Sequence, residues 1–183
     1  MGPLILASAS PRRRELLASA GVHFEVRPAD VDESMAPGES ALVYVRRVSL
    51  AKAMAVPGQR VLAADTVVAI DGDVLGKPAT HDEACDGLRR LSGRAHQVHT
   101  AVTLRVNGRI RHRIVTSEVR FRPLLASEID RYVQTGESFD KAGGYGIQGH
   151  GSTLVDRVRG SYTNVIGLPV RETLQLLERW GGR

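Results

Sequence analysis

Asn107-Gly108 lies between two long runs, and no other feature of this chain narrows its fold so far. Before it, His96 to Val106 alternates with a period of two, with Val98, Thr100, Val102, Leu104 and Val106 on one side. After it, Ile110 to Phe121 reads as the partner strand. An Asn-Gly pair accepts the positive φ angles of a two-residue hairpin turn, so a long antiparallel ladder is expected. Helical segments surround that ladder. Leu4 to Ala7 reads as a short buried strand that turns through Ser8-Ala9-Ser10 into a helix. Ser10 is its N-cap, Pro11 takes its first position and Gly21 ends it. Val22 to Arg27 can form a second strand.

Ser40 to Ala55 reads as a helix with Leu42, Val45, Val48 and Ala51 at spacings of three, stopped by Pro57-Gly58. Val61 to Ile70 is an apolar strand interrupted by Asp65 and Thr66. Asp71-Gly72 turns it back through Val74 and Leu75 to Gly76-Lys77-Pro78. Thr80 and Glu83 form a capping box for a helix to Leu91, closed by Gly93. A short helix over Ser127 to Thr135, a glycine-rich stretch from Gly136 to Gly151, a strand through Leu154, Val155 and Val158, and an amphipathic helix from Arg171 to Trp180 complete the chain. Helices interleaved with hairpins predict an α/β fold: a mixed, twisted sheet with flanking helices, rather than a strictly parallel one. With no repeat or linker, residues 1–183 are expected to form a single domain.

Composition excludes several classes. At 42% hydrophobic and 25% charged the chain is not disordered. The single cysteine, Cys85, forbids an intrachain disulfide, argues against a cysteine-based metal site and suits a small buried residue on a helix. No run approaches the roughly 18 apolar residues of a membrane span, and Pro3 to Ala7 is too short for a signal-peptide core, so a cytoplasmic protein is expected. A net charge of +5 suits an anionic partner. Of 25 basic residues only Lys52, Lys77 and Lys141 are lysines. A GC-rich genome gives such a bias, but a lysine is also a point charge that arginine replaces poorly on a single phosphate oxygen.

Four stretches could carry chemistry. In Ser8-Ala9-Ser10-Pro11-Arg12-Arg13-Arg14 three arginines oppose the dipole of the helix they open, a penalty that a bound polyphosphate would reverse. Their successive positions point them apart, so one or two reach a ligand; a solvated turn is the plain alternative. Asp65 is a carboxylate in an apolar strand, costly unless a cation or donors satisfy it. It could hold a divalent metal, serve as a general base, or accept backbone bonds at a bulge. Gly76-Lys77-Pro78 frames a lysine that either meets phosphate or is solvated. In Ser138 to Gly149 the literal G-x-G-x-x-G neither follows a strand nor opens a helix, so it is not a dinucleotide fingerprint. Its glycines would let the backbone pass close to a ligand, with Gln148 reading a base edge. The six histidines are read as structural or surface residues; His96 and His99, three apart on a strand, make a poor metal pair.

Five blocks, with the terminal Asn164-Val165-Ile166-Gly167-Leu168-Pro169, together resemble the Maf family of nucleotide pyrophosphatases across nearly the whole chain. They are Ser8 to Arg13, Ala64-Asp65-Thr66, Gly76-Lys77-Pro78, Leu91-Ser92-Gly93 and Asp140 to Gly149. The resemblance implies two lobes around a cleft, similar to inosine triphosphate pyrophosphatases. It also implies hydrolysis of a nucleoside triphosphate to the monophosphate and pyrophosphate, with a divalent cation such as Mg or Mn. Through it Asp65 matches the catalytic carboxylate and Glu33 a second acidic, metal-side position. Ser8, Arg12, Arg13, Lys52 and Lys77 match phosphate-side positions; Arg12, Thr66 and Gln148 match positions tied to substrate choice. Arg12 and Thr66 are similar to the branch that prefers dTTP and UTP rather than the one that prefers 7-methyl-GTP. The expected partners are a nucleoside triphosphate and a second copy in a homodimer, with no membrane and no nucleic acid. A nucleic-acid-binding regulator of septum formation is the alternative, but at 4% aromatic residues the chain is poor in stacking platforms. On a regular strand Asp65 and Thr66 would point to opposite faces, so Thr66 would act from behind or the strand would have to bend.

Overall fold

The computed structural model describes residues 2–180. Its frame is a seven-stranded mixed sheet. β1 (Leu4–Leu6) lies parallel to β2 (Glu25–Val26) on one side and to β3 (Arg60–Ile70) on the other. Antiparallel pairing continues from β3 to β5 (Ala95–Val106), β6 (Arg109–Phe121) and β7 (Val155–Arg159), and β4 (Asp73–Leu75) folds back on β3. The expected hairpin is present: Asn107 and Gly108 take φ of 48° and 79°, and β5 pairs with β6 from Ala95↔Arg120 to Val106↔Arg109. Asp71-Gly72 makes the second tight turn with φ of 56° and 86°.

Helix starts follow their caps. The Ser10 side chain accepts from the Arg13 N–H at the start of α1 (Pro11–Ser19), and Thr80 accepts from the Glu83 N–H at the start of α3 (His81–Leu91). The second half of that capping box shifts by one residue, because Glu83 accepts from the N–H of Ala79 at 2.7 Å. The remaining helices are α2 (Ala41–Ala55), α4 (Ala126–Gln134), α5 (Tyr162–Ile166) and α6 (Val170–Trp180). The short α5 falls in a stretch where only the family resemblance gave any expectation.

Two corrections concern burial. On α2 the inward stripe is Ala41, Val45, Val48, Ser49, Lys52 and Ala53, whereas Leu42 is 45% exposed. A spacing of three drifts by roughly 60° per step on a helix of 3.6 residues per turn, so Leu42 and Val48 cannot share a face. On β5 every residue from Val98 to Leu104 is buried, not one side alone. Helices cover both faces of the central sheet there.

Those two faces organise the core. Val61, Ala63, Val67 and Ala69 of β3 face α2, packing with Val45 and Ala53. On the opposite face Leu62 and Ala64 join Leu17, Val102 and Leu176 in one cluster. Val68 and Ile70 join Leu88, Leu91, Val98, Phe121 and Ile129 in another. Each fully buried leucine contributes about 1.5–3 kcal/mol of transfer free energy. Between the two clusters runs a polar row. Thr66 and Thr100, cross-strand neighbours, share a 2.9 Å hydrogen bond, and the Thr100 hydroxyl donates to the Asn164 carbonyl at 3.0 Å.

Candidate active site

A break in the sheet creates the site. β5 pairs with one edge of β3 continuously from Arg60 to Ala69. On the other edge β1 pairs with residues 60–62 and β4 with residues 68–70. Ala63 to Val67 therefore have no strand beside them on that edge, and a cleft of about 1000 Å3 opens there. Every residue that the resemblance matched to a site position lines it: Ser8, Arg12, Arg13, Glu33, Lys52, Asp65, Thr66, Lys77 and Gln148. The third arginine, Arg14, is exposed and lies outside the lining.

β3 passes the gap as a regular strand, with Asp65 opposite Ala101 and Thr66 opposite Thr100, so no bulge accounts for Asp65. Asp65 points to the α2 face and is 6% exposed. It meets Lys52, itself on the inward stripe of α2 and 7% exposed. The Lys52 ammonium donates to Asp65 Oδ1 at 2.8 Å and also contacts Glu33 Oε1 at 2.9 Å. Two carboxylates from different segments thus converge on one buried lysine. Tyr44, not singled out from the sequence, closes this side: it lines the cleft and its hydroxyl donates to the Glu33 carbonyl at 2.8 Å. Burial, then the charges of Asp65 and Glu33, push the Tyr44 hydroxyl up to about 12, so it stays a donor at neutral pH.

Thr66 acts from the other face, through Arg13. Arg13 Nη2 donates to Thr66 Oγ1 at 3.0 Å, Nε to the Gly167 carbonyl at 2.8 Å and Nη1 to Ser8 Oγ at 3.4 Å. With Thr100 donating to Asn164, its oxygen is left to accept from Thr66, whose own oxygen then accepts from Arg13. The threonine row thereby fixes the guanidinium; Thr66 is a support for Arg13 rather than a free hydroxyl. Burial lowers the Arg13 pKa, partly offset by Asp65 and Glu33. Arg12 reaches across the cleft to Asp140, Nη1 to Oδ2 at 2.8 Å, and Lys141 meets the same carboxylate at 2.5 Å. Burial alone would raise the Asp140 carboxyl; Lys141 and Arg12 outweigh it and hold it below its ordinary value.

Lys77 and Gln148 differ from these. Among the described residues neither side chain has a hydrogen-bond or ionic partner; both are exposed and both line the cleft. Lys77→Ala is expected to raise KM for a triphosphate substrate about tenfold or more with a smaller loss of kcat, the scale of one charged hydrogen bond. Lys77→Arg is not expected to restore the affinity, because a guanidinium spreads over a fork the charge that an ammonium places on one phosphate oxygen. Steady-state kinetics on the two variants check both, and an unchanged KM in Lys77→Ala removes the phosphate role.

The metal expectation can be tested against the donor set. Asp65 and Glu33 offer hard carboxylate oxygens in the lining of the cleft. Mg or Mn takes one or two protein carboxylates and completes its shell with water and phosphate oxygens. The two residues fit such an ion. Elsewhere, His81, Cys85 and Asp130 bring their ligand atoms within 4.8 Å of one another, although none of them lines the cleft. The sequence reading held no place for a cysteine-containing group of this kind. Helical i, i+4 spacing brings Cys85 under His81, and the packing of α4 on α3 brings up Asp130.

A mixed sheet with a cationic cleft, floored by a carboxylate-lysine-carboxylate chain, defines an anion-binding α/β protein. The chain belongs to the Maf family, whose description is Maf-like protein and whose model matches residues 3–180. It is 55% identical over 182 residues to a dTTP/UTP pyrophosphatase of Anaeromyxobacter dehalogenans, covering 97% of this chain and 94% of that one. It is 50% identical to a protein of the same name from Symbiobacterium thermophilum (99% and 95% covered) and 48% identical to one from Aromatoleum aromaticum (97% and 95%). Among the described residues no helix is long and apolar enough to cross a membrane.

Proposed function

We propose that this protein is a nucleoside triphosphate pyrophosphatase: it hydrolyses dTTP and UTP by preference, releasing pyrophosphate and dTMP or UMP. One observation carries the reading. A single cleft gathers all three lysines of the chain, two arginines and the Asp65-Lys52-Glu33 chain, whose Asp65 and Lys52 are buried. That pairing of cations with an inward carboxylate suits attack of water on a polyphosphate. Relatives that match over nearly the whole chain carry the name dTTP/UTP pyrophosphatase, which supports the substrate class.

In this reading residues 1–183 act as one domain whose two lobes flank the cleft. Arg12, Arg13, Ser8 and Lys77 hold the phosphates, and Lys52 orients Asp65. Asp65 accepts a proton from the water that attacks the α-phosphorus, the bond to the α,β-bridging oxygen breaks, and pyrophosphate leaves. A divalent ion held by Asp65 and Glu33 would neutralise charge on the phosphates. Gln148, partnerless and facing the cleft, pairs with the alternating acceptor and N–H of a uracil-type edge. Cytosine and adenine present donor and acceptor in the reverse order and leave its amide unsatisfied, which penalises them strongly. Thr66 contributes by fixing Arg13.

The test is pyrophosphate release from a nucleotide panel with Mg or Mn. kcat/KM is expected to be far higher on dTTP and UTP than on ATP or GTP. Equal rates on purines and pyrimidines, or a preference for 7-methyl-GTP, would overturn the base preference and leave the reaction. No release from any nucleotide would overturn both and favour a binding regulator.

A further inference from the structure

The loop that presents Gln148 is fastened by a carboxylate that the proposed chemistry does not use. Glu137 follows the end of α4 and lines the cleft. Its Oε1 accepts from the backbone N–H of His150 at 3.2 Å and from His150 Nδ1 at 2.7 Å. Its Oε2 accepts from the N–H of Gly151 at 3.4 Å. Burial would raise the Glu137 carboxyl, but the His150 ring and these N–H groups reverse the effect, so it lies below its ordinary value. A charged acceptor on backbone N–H groups makes a strong hydrogen bond.

The loop leaves room for nothing else. Gly149 has φ of +65°, and a Cβ there would sit 2.9 Å from Glu137 Oε1. A Cβ on Gly151 would sit 2.0 Å from the Gly146 carbonyl oxygen. On the near side of Gln148 the Gly146 N–H donates to the Tyr132 hydroxyl at 3.1 Å. The Gln148 side chain makes no hydrogen bond among the described residues, so its direction depends on the backbone either side of it. Tyr132 fixes one side and Glu137 the other.

We propose that Glu137 is a positioning residue for base selection, which acts by clamping the backbone of His150 and Gly151 so that the Gln148 amide faces the nucleobase. The proposal rests on the reading above that Gln148 contacts the base. Without the clamp the amide samples several directions, and the penalty for the wrong base shrinks while the phosphate end is untouched.

Glu137→Gln and Glu137→Ala, with fold checked by circular dichroism, are compared with Gln148→Ala and the double variant Glu137→Ala/Gln148→Ala. The kcat/KM ratio of dTTP to dCTP, whose edge carries donor and acceptor in the reverse order, is expected to fall about tenfold or more in each single variant, roughly 1.4 kcal/mol of discrimination. In the Glu137 variants the saturating kcat on dTTP should change less than about threefold, a split that loss of general structure would not give. The double variant should match Gln148→Ala alone, because coupled residues are not additive. Additive losses, or an unchanged ratio in the Glu137 variants beside a reduced one in Gln148→Ala, would overturn the proposal. Amide hydrogen exchange reads the clamp without substrate: the His150 and Gly151 amides should exchange faster in Glu137→Gln, and unchanged protection there also overturns it. Faster exchange in a protein whose wild type shows no base preference would uphold the clamp and sink the pyrimidine reading instead.

Discussion

Asp65→Asn is expected to lose at least about 100-fold in turnover, the scale of a positioned acid or base, while still folding and binding nucleotide. The geometry explains why these effects should separate. The substitution removes a charge that Lys52 meets at 2.8 Å, and breaking a buried pair outright costs about 3–5 kcal/mol. Here Lys52 keeps its second partner, Glu33, at 2.9 Å, and that carboxylate is partly exposed, so the lysine is not stranded. The cost in stability should therefore fall well below that ceiling. Arg12, Arg13 and Lys77 are unchanged, so affinity for the triphosphate should stay within about threefold. Single-turnover release of pyrophosphate, a binding isotherm and thermal melting separate the three quantities. A folded variant with near-normal turnover would reduce Asp65 to a structural partner of Lys52.

Lys52→Ala should be as damaging by a different route. It leaves Asp65 almost fully buried with no counter-charge and releases the loop carboxylate of Glu33. A loss in kcat/KM of about 100-fold or more is expected, together with a lowered melting temperature, because an uncompensated buried charge is strongly destabilising. Lys52→Arg should not rescue it. The ammonium sits as a single point between Asp65 Oδ1 and Glu33 Oε1, on the buried stripe of α2. A planar guanidinium is wider and spreads its donors over a fixed fork. Wild-type kcat/KM in Lys52→Arg would remove the argument that this position requires a point charge.

Much of this was legible from local chemistry. Ser10, Thr80 and Asn107-Gly108 announce their turns through side-chain oxygens and positive φ, which depend on near neighbours only. Asp65 stood out because a carboxylate within an apolar strand has to be satisfied by something. What stayed hidden was contact between distant segments. Tyr44 reads as an ordinary helical aromatic until the loop carrying Glu33 packs over it. The support of Arg13 by Thr66 links residues 53 positions apart, across a sheet whose strand order the sequence does not specify. Glu137 gave no signal because the bonds that clamp the loop run to backbone N–H groups, which any residue but proline supplies. The doubly buried β5 was missed for a similar reason: threonines and a histidine look polar in sequence but are satisfied internally, as in the Ser49–Thr103 and His99–Thr116 hydrogen bonds. A spacing of three did not keep Leu42 on the inward stripe, for reasons of angle alone.

The gathering of Lys52, Lys77 and Lys141 around one cleft has a practical consequence. Elsewhere the positive charge of this chain is carried by arginine, which amine-directed reagents do not touch. Apart from the N-terminal amine, every primary amine of the molecule lies within that cleft, and the three differ in access: Lys77 is open, Lys141 is tied to Asp140 and Lys52 is buried. Acylating chemistry, enzymatic or synthetic, that modifies this protein through its lysine side chains is thereby directed to a single region, and first to its most accessible member.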